Sequence, residues 1–547
     1  MYEIVHYGKN EYYGHMVRKT EMYLRKNEGD SVIRYWHCVG MYLLGDMAKS
    51  MRGLVDMMRT AKDMRGSVIG TILDISKGQG VDEMSAEEME SELKDILLNV
   101  SGEKAMVHLA LYYLLVNRSI EAKKIVDSVY RDYSDKYLSA NDARGWIHLF
   151  AEKDILTFES DSIFKTDNNN GRLLFLMGKV QYLKRSKKID EAISILSMVS
   201  VKYPNTYCAQ MEKSHLYILM NKWEEANEIV TYVLNKKDPL NFEGLVINLL
   251  YMLTKENKMK IVTDKFKTLL KVVANNESSN HNLLYKLGKS FGAISGSNSF
   301  ILKESEGFIT SAINLLTSDT VSTTNNKNLA EYHAAKAHLL LLMSKFTDSE
   351  ECFNKALDLD DSSISSNIGV ILACLRQGKY SECRQMLESL NDIRDTLLNS
   401  SGSLLNGAHL FYLNYLLLFH GGSSFLTLPD TDNGEFGEVG ESGTALGQLF
   451  FALDLFSKQK ERLKFSLDYY SLLDPQFLVD MCNDLLQHCP RQPLGEFEPV
   501  PITLTKLESA LRMLVETMPG MIEGQYLLAN CFFLKGQLDD ALRMVSS

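Results

Sequence analysis

The chain has 547 residues, of which 45% are hydrophobic and 24% charged, with nine prolines and a formal net charge of −11. This composition is typical of a soluble folded protein, and so few prolines suit a chain built almost wholly of helices. The negative charge argues against nucleic acid as the main partner, because phosphate neutralisation needs a basic footprint. The eight cysteines form no CxxC pair, which favours reduced thiols in an intracellular, cytoplasmic protein.

The first elements in chain order are helix pairs of similar size. Residues 31–58 predict two helices joined around Gly45, and residues 105–130 predict two helices joined around Asn117. Each pair has an apolar face that another pair must cover, which is typical of repeat proteins.

The central part of the chain carries a 34-residue period. Ala192 and Ala226 lie 34 residues apart, and so do Ile189 and Trp223. This period is that of the tetratricopeptide (TPR) unit, in which two antiparallel helices place small and large residues at fixed positions for close packing. Trp223 takes the bulky position and is therefore expected to be buried.

The same period returns farther along the chain. Phe346, Ser349 and Phe353 have counterparts of similar size or burial preference 34 positions later, which are Tyr380, Cys383 and Leu387. Asp360 and Asp361 stand between these two units and are expected to cap the helix that follows. The apolar stretch 404–419 is interrupted by polar residues, and it predicts a buried helix rather than a membrane span.

These patterns predict an all-α fold, a TPR right-handed superhelical solenoid made of successive helix pairs. We predict an N-terminal array over residues 1–420, a flexible insert rich in glycine and acidic residues over 421–443, and a continuing array over 444–547. The last helix is followed by no polar capping helix, so the array is expected to be truncated at its C-terminus.

The motifs of common active sites are missing from the sequence. His333 and His338 are five positions apart, which does not match a helical metal pair, and Gly78-Gln79-Gly80 lacks the third glycine of a dinucleotide loop. No Gly-x-Ser-x-Gly elbow or P-loop occurs. We therefore predict no catalytic residue, metal site or cofactor, and no enzyme activity.

A local excess of basic residues is the main candidate for a binding surface. Residues 179–271 contain 16 Lys plus Arg against 10 Asp plus Glu, a balance of +6. The densest run stands beside the turn between two predicted helices and consists of Lys184, Arg185, Lys187 and Lys188. These four are the candidates to face an acidic protein partner, and the alternative is a solvated face.

Three blocks of residues carry more than the generic repeat. They are Val32-Ile33-Arg34-Tyr35-Trp36-His37 with Gly40, Gly102-Glu103-Lys104-Ala105 with His108, and Leu473-Asp474-Pro475-Gln476-Phe477-Leu478 running to Cys489-Pro490-Arg491-Gln492-Pro493. In order and spacing these blocks resemble the N-terminal half of tetratricopeptide repeat protein 21, the large all-repeat subunit of intraflagellar transport complex A. The Gly-rich acidic insert departs from that family, and the family continues for many more repeats.

The resemblance implies a non-enzymatic scaffold of cilia and flagella. It implies retrograde transport and ciliary entry of membrane cargo as the supported processes. The expected partners are the WD-repeat and TPR subunits of complex A and neighbouring train components, with no nucleic acid and no direct membrane insertion. The expected location is the cytoplasm, the basal body and the cilium or flagellum.

Two other readings stay open at this point. One is a co-chaperone-like receptor that holds a peptide C-terminus in a carboxylate clamp, although no repeated arrangement of Asn and Lys is found on neighbouring first helices. The other is a TPR arm of a larger enzyme. Both would use the same helix pairs, because a repeat array supplies surfaces rather than chemistry.

Overall fold

The structure is a computed structural model. It describes residues 2–76, 83–98, 103–133, 138–151, 172–256, 259–296, 298–318, 325–392, 404–420, 445–462, 469–495 and 498–546. The regular elements in these ranges are α-helices, one short 3₁₀-helix and one π-helical segment, and the same ranges contain no β-strand. The predicted all-α repeat fold is confirmed.

The packing divides the chain into two compact units. Unit 1 contains Met1–Leu245 and Leu270–Asn280, and unit 2 contains Val246–Leu269 and His281–Ser547. The predicted insert 421–443 lies outside the described residues, so the three predicted domain ranges remain a prediction.

Unit 1 is mostly a series of helix pairs joined by short turns. Its helices are α1 (Tyr2–Lys9), α2 (Tyr13–Leu24), α3 (Ser31–Leu43), α4 (Met47–Thr60), α5 (Arg65–Ser76), α6 (Glu83–Leu98), α7 (Glu103–Leu115), α8 (Ser119–Tyr133), α9 (Leu138–Ala151), α10 (Leu173–Arg185), α11 (Ile189–Lys202), α12 (Tyr207–Leu219) and α13 (Trp223–Lys236). Helices α14 (Phe242–Tyr251) and α15 (Met259–Asn276) contribute residues to both units.

Unit 2 continues with the same kind of element. Its helices are α16 (His281–Ile294), α17 (Ser299–Ser318), α18 (Asn325–Leu342), α19 (Phe346–Leu359), α20 (Ile364–Arg376), α21 (Tyr380–Asp392), α22 (Leu404–His420), α23 (Ala445–Arg462), α24 (Tyr469–Leu473), α25 (Pro475–Gln487), α26 (Ile502–Thr517), α27 (Ile522–Leu534) and α28 (Leu538–Ser546). Helix α22 is the predicted apolar helix, and most of its central side chains are buried. Within the described ranges, no helix has both the length and the apolarity that crossing a bilayer requires.

Many of the turns inside pairs share one backbone device. A residue with left-handed φ stands two positions before the second helix at Gly45, Asn117, Lys187, Asn221, Ser344, Gly378 and Gly536. This conformation ends a helix by turning its last carbonyls toward amides beyond it, and Lys188 accordingly donates its N–H to the Leu183 carbonyl at 2.9 Å. The 34-residue period is also the spacing of two neighbouring pairs of these turns, Lys187 with Asn221 and Ser344 with Gly378.

Lys187 carries a strained conformation that glycine would relieve. Its φ is +59°, a region that costs an L-residue about 1–2 kcal/mol. Glycine removes this cost but loses about 0.4–1 kcal/mol through its freedom in the unfolded chain. We expect Lys187→Gly to raise the free energy of unfolding by about 0.5–1 kcal/mol in urea denaturation. Lys187→Ala keeps the Cβ, so a similar gain there would contradict this explanation.

The residues that define the period are buried as predicted. Ala192 and Ala226 are fully buried, and Trp223 is 8% exposed. The first two blocks of the resemblance meet in the core of unit 1, where Nε1 of Trp36 donates to Nδ1 of His108 at 3.3 Å. Trp36 and His108 of these blocks therefore hold the fold together rather than forming a surface.

The predicted cap at Asp360 and Asp361 is wrong. The Asp360 carboxylate accepts from the N–H of Ser362 at 3.2 Å, which makes a tight turn after α19. Helix α20 is capped instead by Ser363, whose hydroxyl accepts from the N–H of Ser366 at 3.4 Å. The tight turn moves the helix start beyond both aspartates.

Candidate functional site

The four basic candidates lie at one turn of unit 1 but have different surroundings. Lys184 and Arg185 end α10, and Lys187 and Lys188 form the turn before α11. Lys188 is mostly exposed, and its Nζ lies 3.4 Å from Oε1 of Glu191, a pair on the surface. Lys187 is exposed at the left-handed position of the turn.

Lys184 and Arg185 point to other helices of unit 1. Nζ of Lys184 lies 3.0 Å from Oε1 of Glu212 on α12. Arg185 donates to the backbone carbonyl of Leu149 on α9, and its guanidinium carbon lies 4.9 Å from the centre of the Phe150 ring. Only half of the basic run thus reaches a site built by several helices, and whether any of the four faces a partner remains a prediction.

Helix α1 packs against helices from later repeats of the same unit. The ring of Tyr2 lies beside Trp146 of α9, with centroids 6.3 Å apart, and Tyr2 belongs to a buried core that includes Leu176 of α10. Farther along α1, Nε2 of His6 lies 2.9 Å from Oε1 of Glu243 on α14, 237 positions away in sequence. The N-terminal helix α1 therefore belongs, with α9, α10 and α14, to the candidate site around Lys184 and Arg185.

Glu277 fixes α2 to the end of unit 1. Its carboxylate is fully buried and accepts from the N–H of Gly14 at 3.1 Å, the N–H of His15 at 2.8 Å and the side-chain amide of Asn280 at 2.9 Å. Tyr12, the residue before α2, offers no side-chain cap of its own. A carboxylate 263 positions away therefore satisfies the free N–H groups of this helix.

His6 and Glu243 form a buried ion pair. Burial lowers the pKa of His6, but Glu243 and Cys208 together raise it by more, so that the pKa lies well above its usual value. For Glu243, burial raises the pKa and His6 lowers it, with a net result below the usual value. Both partners are 7% exposed, so removing either one would leave a buried charge without its counterpart.

Glu212 is the second buried carboxylate of the site. It accepts from the Gln181 amide at 2.8 Å and from Nζ of Lys184 at 3.0 Å. Burial raises its pKa, but Lys184 and His215 lower it by more, to about 2. Glu212 is therefore ionised throughout the physiological range.

Glu212 should make unit 1 sensitive to acid. A folded pKa of about 2 against an ordinary value of 4.5 adds stability that is complete above the ordinary value and is lost as the pH falls toward 2. We expect Glu212→Gln to lower the free energy of unfolding by up to about 3 kcal/mol at neutral pH, and by much less near pH 2. Urea denaturation across this pH range checks it. Glu224→Gln, at an exposed glutamate on α13, should show no such trend.

A pocket of about 240 Å³ lies between α1 and these helices. Side chains from α1, α9, α10, α12 and α14 line it, among them Lys9, Phe150, Lys184, Glu212 and Glu243. Helix α1 thus leaves space beside it, and charged groups of both signs surround that space.

Metal-ligating and nucleophilic side chains in the described part of the chain are dispersed or buried. Among them, no cluster of three or more His, Cys, Asp or Glu side chains is arranged to hold a metal ion. A second recess, of about 320 Å³, is lined by residues that include His37 and Cys38. Burial raises the pKa of Cys38 to about 11, which keeps this thiol protonated and unreactive.

Sequence reasoning located Lys184 and Arg185 but missed the α1 side of the site. His6 and Glu243 are separated by 237 positions, and no repeat period relates them. One usable signal was present, because Gly8 and Gly14 stand in helical sequence where glycine is unfavourable. A Cβ on Gly8 would lie 2.7 Å from Cδ1 of Leu115, so the glycine permits close packing.

The chain matches two family profiles. One, described as "Tetratricopeptide repeat protein 21 N-terminal ARM repeat", matches residues 4–227. The other, described as "Tetratricopeptide repeat protein 21 second ARM domain", matches residues 264–411 and 439–547. Together these ranges cover most of the chain.

Similar curated proteins bear the same family name. Tetratricopeptide repeat protein 21B of Homo sapiens is 23% identical over 539 residues, which are 98% of this chain and 38% of that protein. Tetratricopeptide repeat protein 21A of Homo sapiens is 23% identical over 541 residues, which are 96% of this chain and 38% of that protein. The chain thus spans about 38% of the length of these relatives.

Two solved structures are similar over most of the chain. "Structure of Naa15/Naa10 bound to HypK-THB" covers 100% of this chain and 92% of that one, at 14% identity and a TM-score of 0.27. "Human IFIT1 dimer with m7Gppp-AAAA" covers 91% of this chain and 92% of that one, at 10% identity and a TM-score of 0.33. These scores are too low to support an argument about this chain. The profile matches do support one, because they cover well over half of its residues: the chain belongs to the tetratricopeptide repeat protein 21 family.

Proposed function

We propose that the chain is a non-enzymatic scaffold subunit of intraflagellar transport complex A. The observation that carries the proposal is the similarity to tetratricopeptide repeat protein 21 across 98% of the chain. The fold supports it, because successive helix pairs offer long surfaces to other proteins.

In this role the chain binds the WD-repeat and TPR subunits of its own complex and neighbouring train components. It acts in the cytoplasm, at the basal body and in the cilium or flagellum. There it supports retrograde transport and the entry of membrane cargo. These contacts require neither nucleic acid nor insertion into a membrane.

The long-range contacts of unit 1 suit a scaffold. The pairs His6 with Glu243 and Gly14 with Glu277 join positions 237 and 263 residues apart. Such contacts restrict the movement of the helix pairs between them. A surface that is held in place before binding loses less entropy when the partner arrives.

The proposal can be tested in flagellated cells. A tagged copy of the chain should co-purify with complex A subunits, identified by mass spectrometry, and should accumulate at the basal body and in the flagellum. A tagged Glu277→Ala variant serves as a control for folding, since loss of the Glu277 contacts should weaken recovery of partners of unit 1.

Three results would contradict the scaffold role. Recovery of chaperones without complex A subunits would favour the co-chaperone-like peptide receptor. Recovery of one enzyme in an amount equal to that of the tagged chain would favour the TPR arm of a larger enzyme. Exclusion of the tagged chain from the flagellum, with normal expression in the cell body, would also count against it.

A further inference from the structure

Two cations of unit 1 lie close to the ring of Phe150, and of these two cations Lys9 lines the α1 pocket together with that ring. Nζ of Lys9 lies 4.1 Å from the centre of the Phe150 ring, and the guanidinium carbon of Arg185 lies 4.9 Å from the same centre. Lys9 comes from the end of α1 and Arg185 from the end of α10, so separate elements bring the two charges together.

Neither cation has an ion-pair partner in the described part of the chain. Burial, followed by the charge of Arg185, lowers the pKa of Lys9, and the nearby Glu11 only partly offsets this. The site therefore keeps two like charges close together at a cost in free energy. A bound anion would remove that cost.

The carboxylates inside the pocket are already committed to other cations. Glu243 is paired with His6 at 2.9 Å, and Glu212 is paired with Lys184 at 3.0 Å. These two pairs are each neutral overall, so the local excess of charge beside Phe150 comes from Lys9 and Arg185.

We infer that Lys9 and Phe150 of the pocket, together with Arg185 beside the same ring, bind a carboxylate side chain from an acidic segment of a partner protein. Arg185 would donate through the guanidinium N–H groups that are not bonded to the Leu149 carbonyl, and Lys9 would provide a second point charge. This site goes beyond the proposed scaffold role and does not depend on which complex the chain joins.

The size and walls of the pocket favour a glutamate or aspartate over a larger anion. The pocket volume is about 240 Å³, which suits a side chain rather than a helix or a nucleotide. Phe150 is stacked on Trp146 at 5.7 Å, giving an apolar wall for the methylene groups of the ligand.

The test uses fluorescence anisotropy of the full chain at low salt. The probe is a fluorescein-labelled peptide, Gly-Ser-Gly-Glu-Leu-Glu-Gly-Ser, with its glutamine analogue and a phosphoserine analogue as comparisons. We expect the glutamate peptide to bind, the glutamine peptide to bind at least about tenfold more weakly, and affinity to fall with salt.

Two double variants of equal charge separate this site from general attraction. Lys9→Gln with Arg185→Gln should weaken binding of the glutamate peptide by about tenfold or more. Lys236→Gln with Lys237→Gln removes the same charge from exposed positions at the end of α13, outside the pocket and outside the four basic candidates, and should change binding by less than about twofold. Circular dichroism of both variants should match the parent.

Several outcomes would overturn the inference. They are no binding of the glutamate peptide, equal loss in the two double variants, or tighter binding of the phosphoserine peptide. If the first double variant fails to fold, the single variant Lys9→Gln replaces it. Trp146 fluorescence then gives a second readout, since a ligand against Phe150 should change it and binding elsewhere should not.

Discussion

Replacement of Glu277 by alanine should lower the free energy of unfolding of unit 1 by about 3–5 kcal/mol, as removal of one partner from a buried charged network does. The carboxylate is fully buried and accepts from two backbone N–H groups at the start of α2 and from Asn280. Alanine would leave the N–H groups of Gly14 and His15 without this acceptor, and each would cost about 1–3 kcal/mol, whereas the Asn280 amide keeps its bond to the Glu11 carbonyl. Urea denaturation followed by circular dichroism measures the change.

Two further variants identify the cause. Glu224→Ala removes an exposed glutamate from α13 and should change stability by less than about 0.5 kcal/mol. Gly14→Ala should disrupt the same contact between α2 and Glu277, because a Cβ on residue 14 would lie 1.6 Å from the carbonyl oxygen of Asn276. Parent-like unfolding of both Glu277→Ala and Gly14→Ala would show that α2 is not held at this place in solution.

The repeating part of the fold could be predicted from sequence because it is local. A helix, a turn and a second helix are set by neighbouring residues, and the next pair repeats the pattern 34 residues later, as from Ala192 to Ala226. Even the left-handed turn at Gly378 follows from a residue type that favours it. Lys187 takes the same conformation although lysine does not favour it. The 34-residue period therefore predicts the position of this turn better than the residue types in the turn do.

The candidate site could be predicted only in part because its two sides come from distant sequence. Lys184 and Arg185 stand out as basic residues beside a turn. His6 and Lys9 lie in a short helix with no repeat partner, and nothing in the sequence relates them to Glu243 or Phe150. Packing of the whole unit brings these residues together, and single-sequence patterns do not report it.

The blocks that carry the family resemblance have mainly structural roles. Asp474 has a left-handed φ of +47° and caps α25 by accepting from the N–H of Phe477 at 3.3 Å. Phe477 stacks on His409, with ring centroids 3.8 Å apart. Such residues preserve the geometry of the helix pairs, which explains why motifs can identify the family without naming a binding site.

Trp36→Ala should be among the most destabilising single changes in unit 1, at about 4–5 kcal/mol. The side chain is fully buried, and truncation of a buried aromatic residue costs about 3–5 kcal/mol. A further loss comes from His108. Burial, followed by the charge of Lys104, lowers the pKa of His108 to about 3, so its ring is neutral and Nδ1 can accept from Trp36 at 3.3 Å. Denaturation of the variant in urea measures the total.

The two parts of this cost can be separated by milder variants. Trp36→Phe keeps most of the buried ring but removes the N–H donor, and should cost about 1–3 kcal/mol because Nδ1 of His108 is left buried without that donor. A double-mutant cycle with His108→Ala should then give a coupling of at least about 0.5 kcal/mol. Zero coupling with a large cost for Trp36→Ala would mean that the two blocks meet only through packing. If Trp36→Ala were as stable as the parent protein, the Trp36 side chain could not be buried in the core of unit 1.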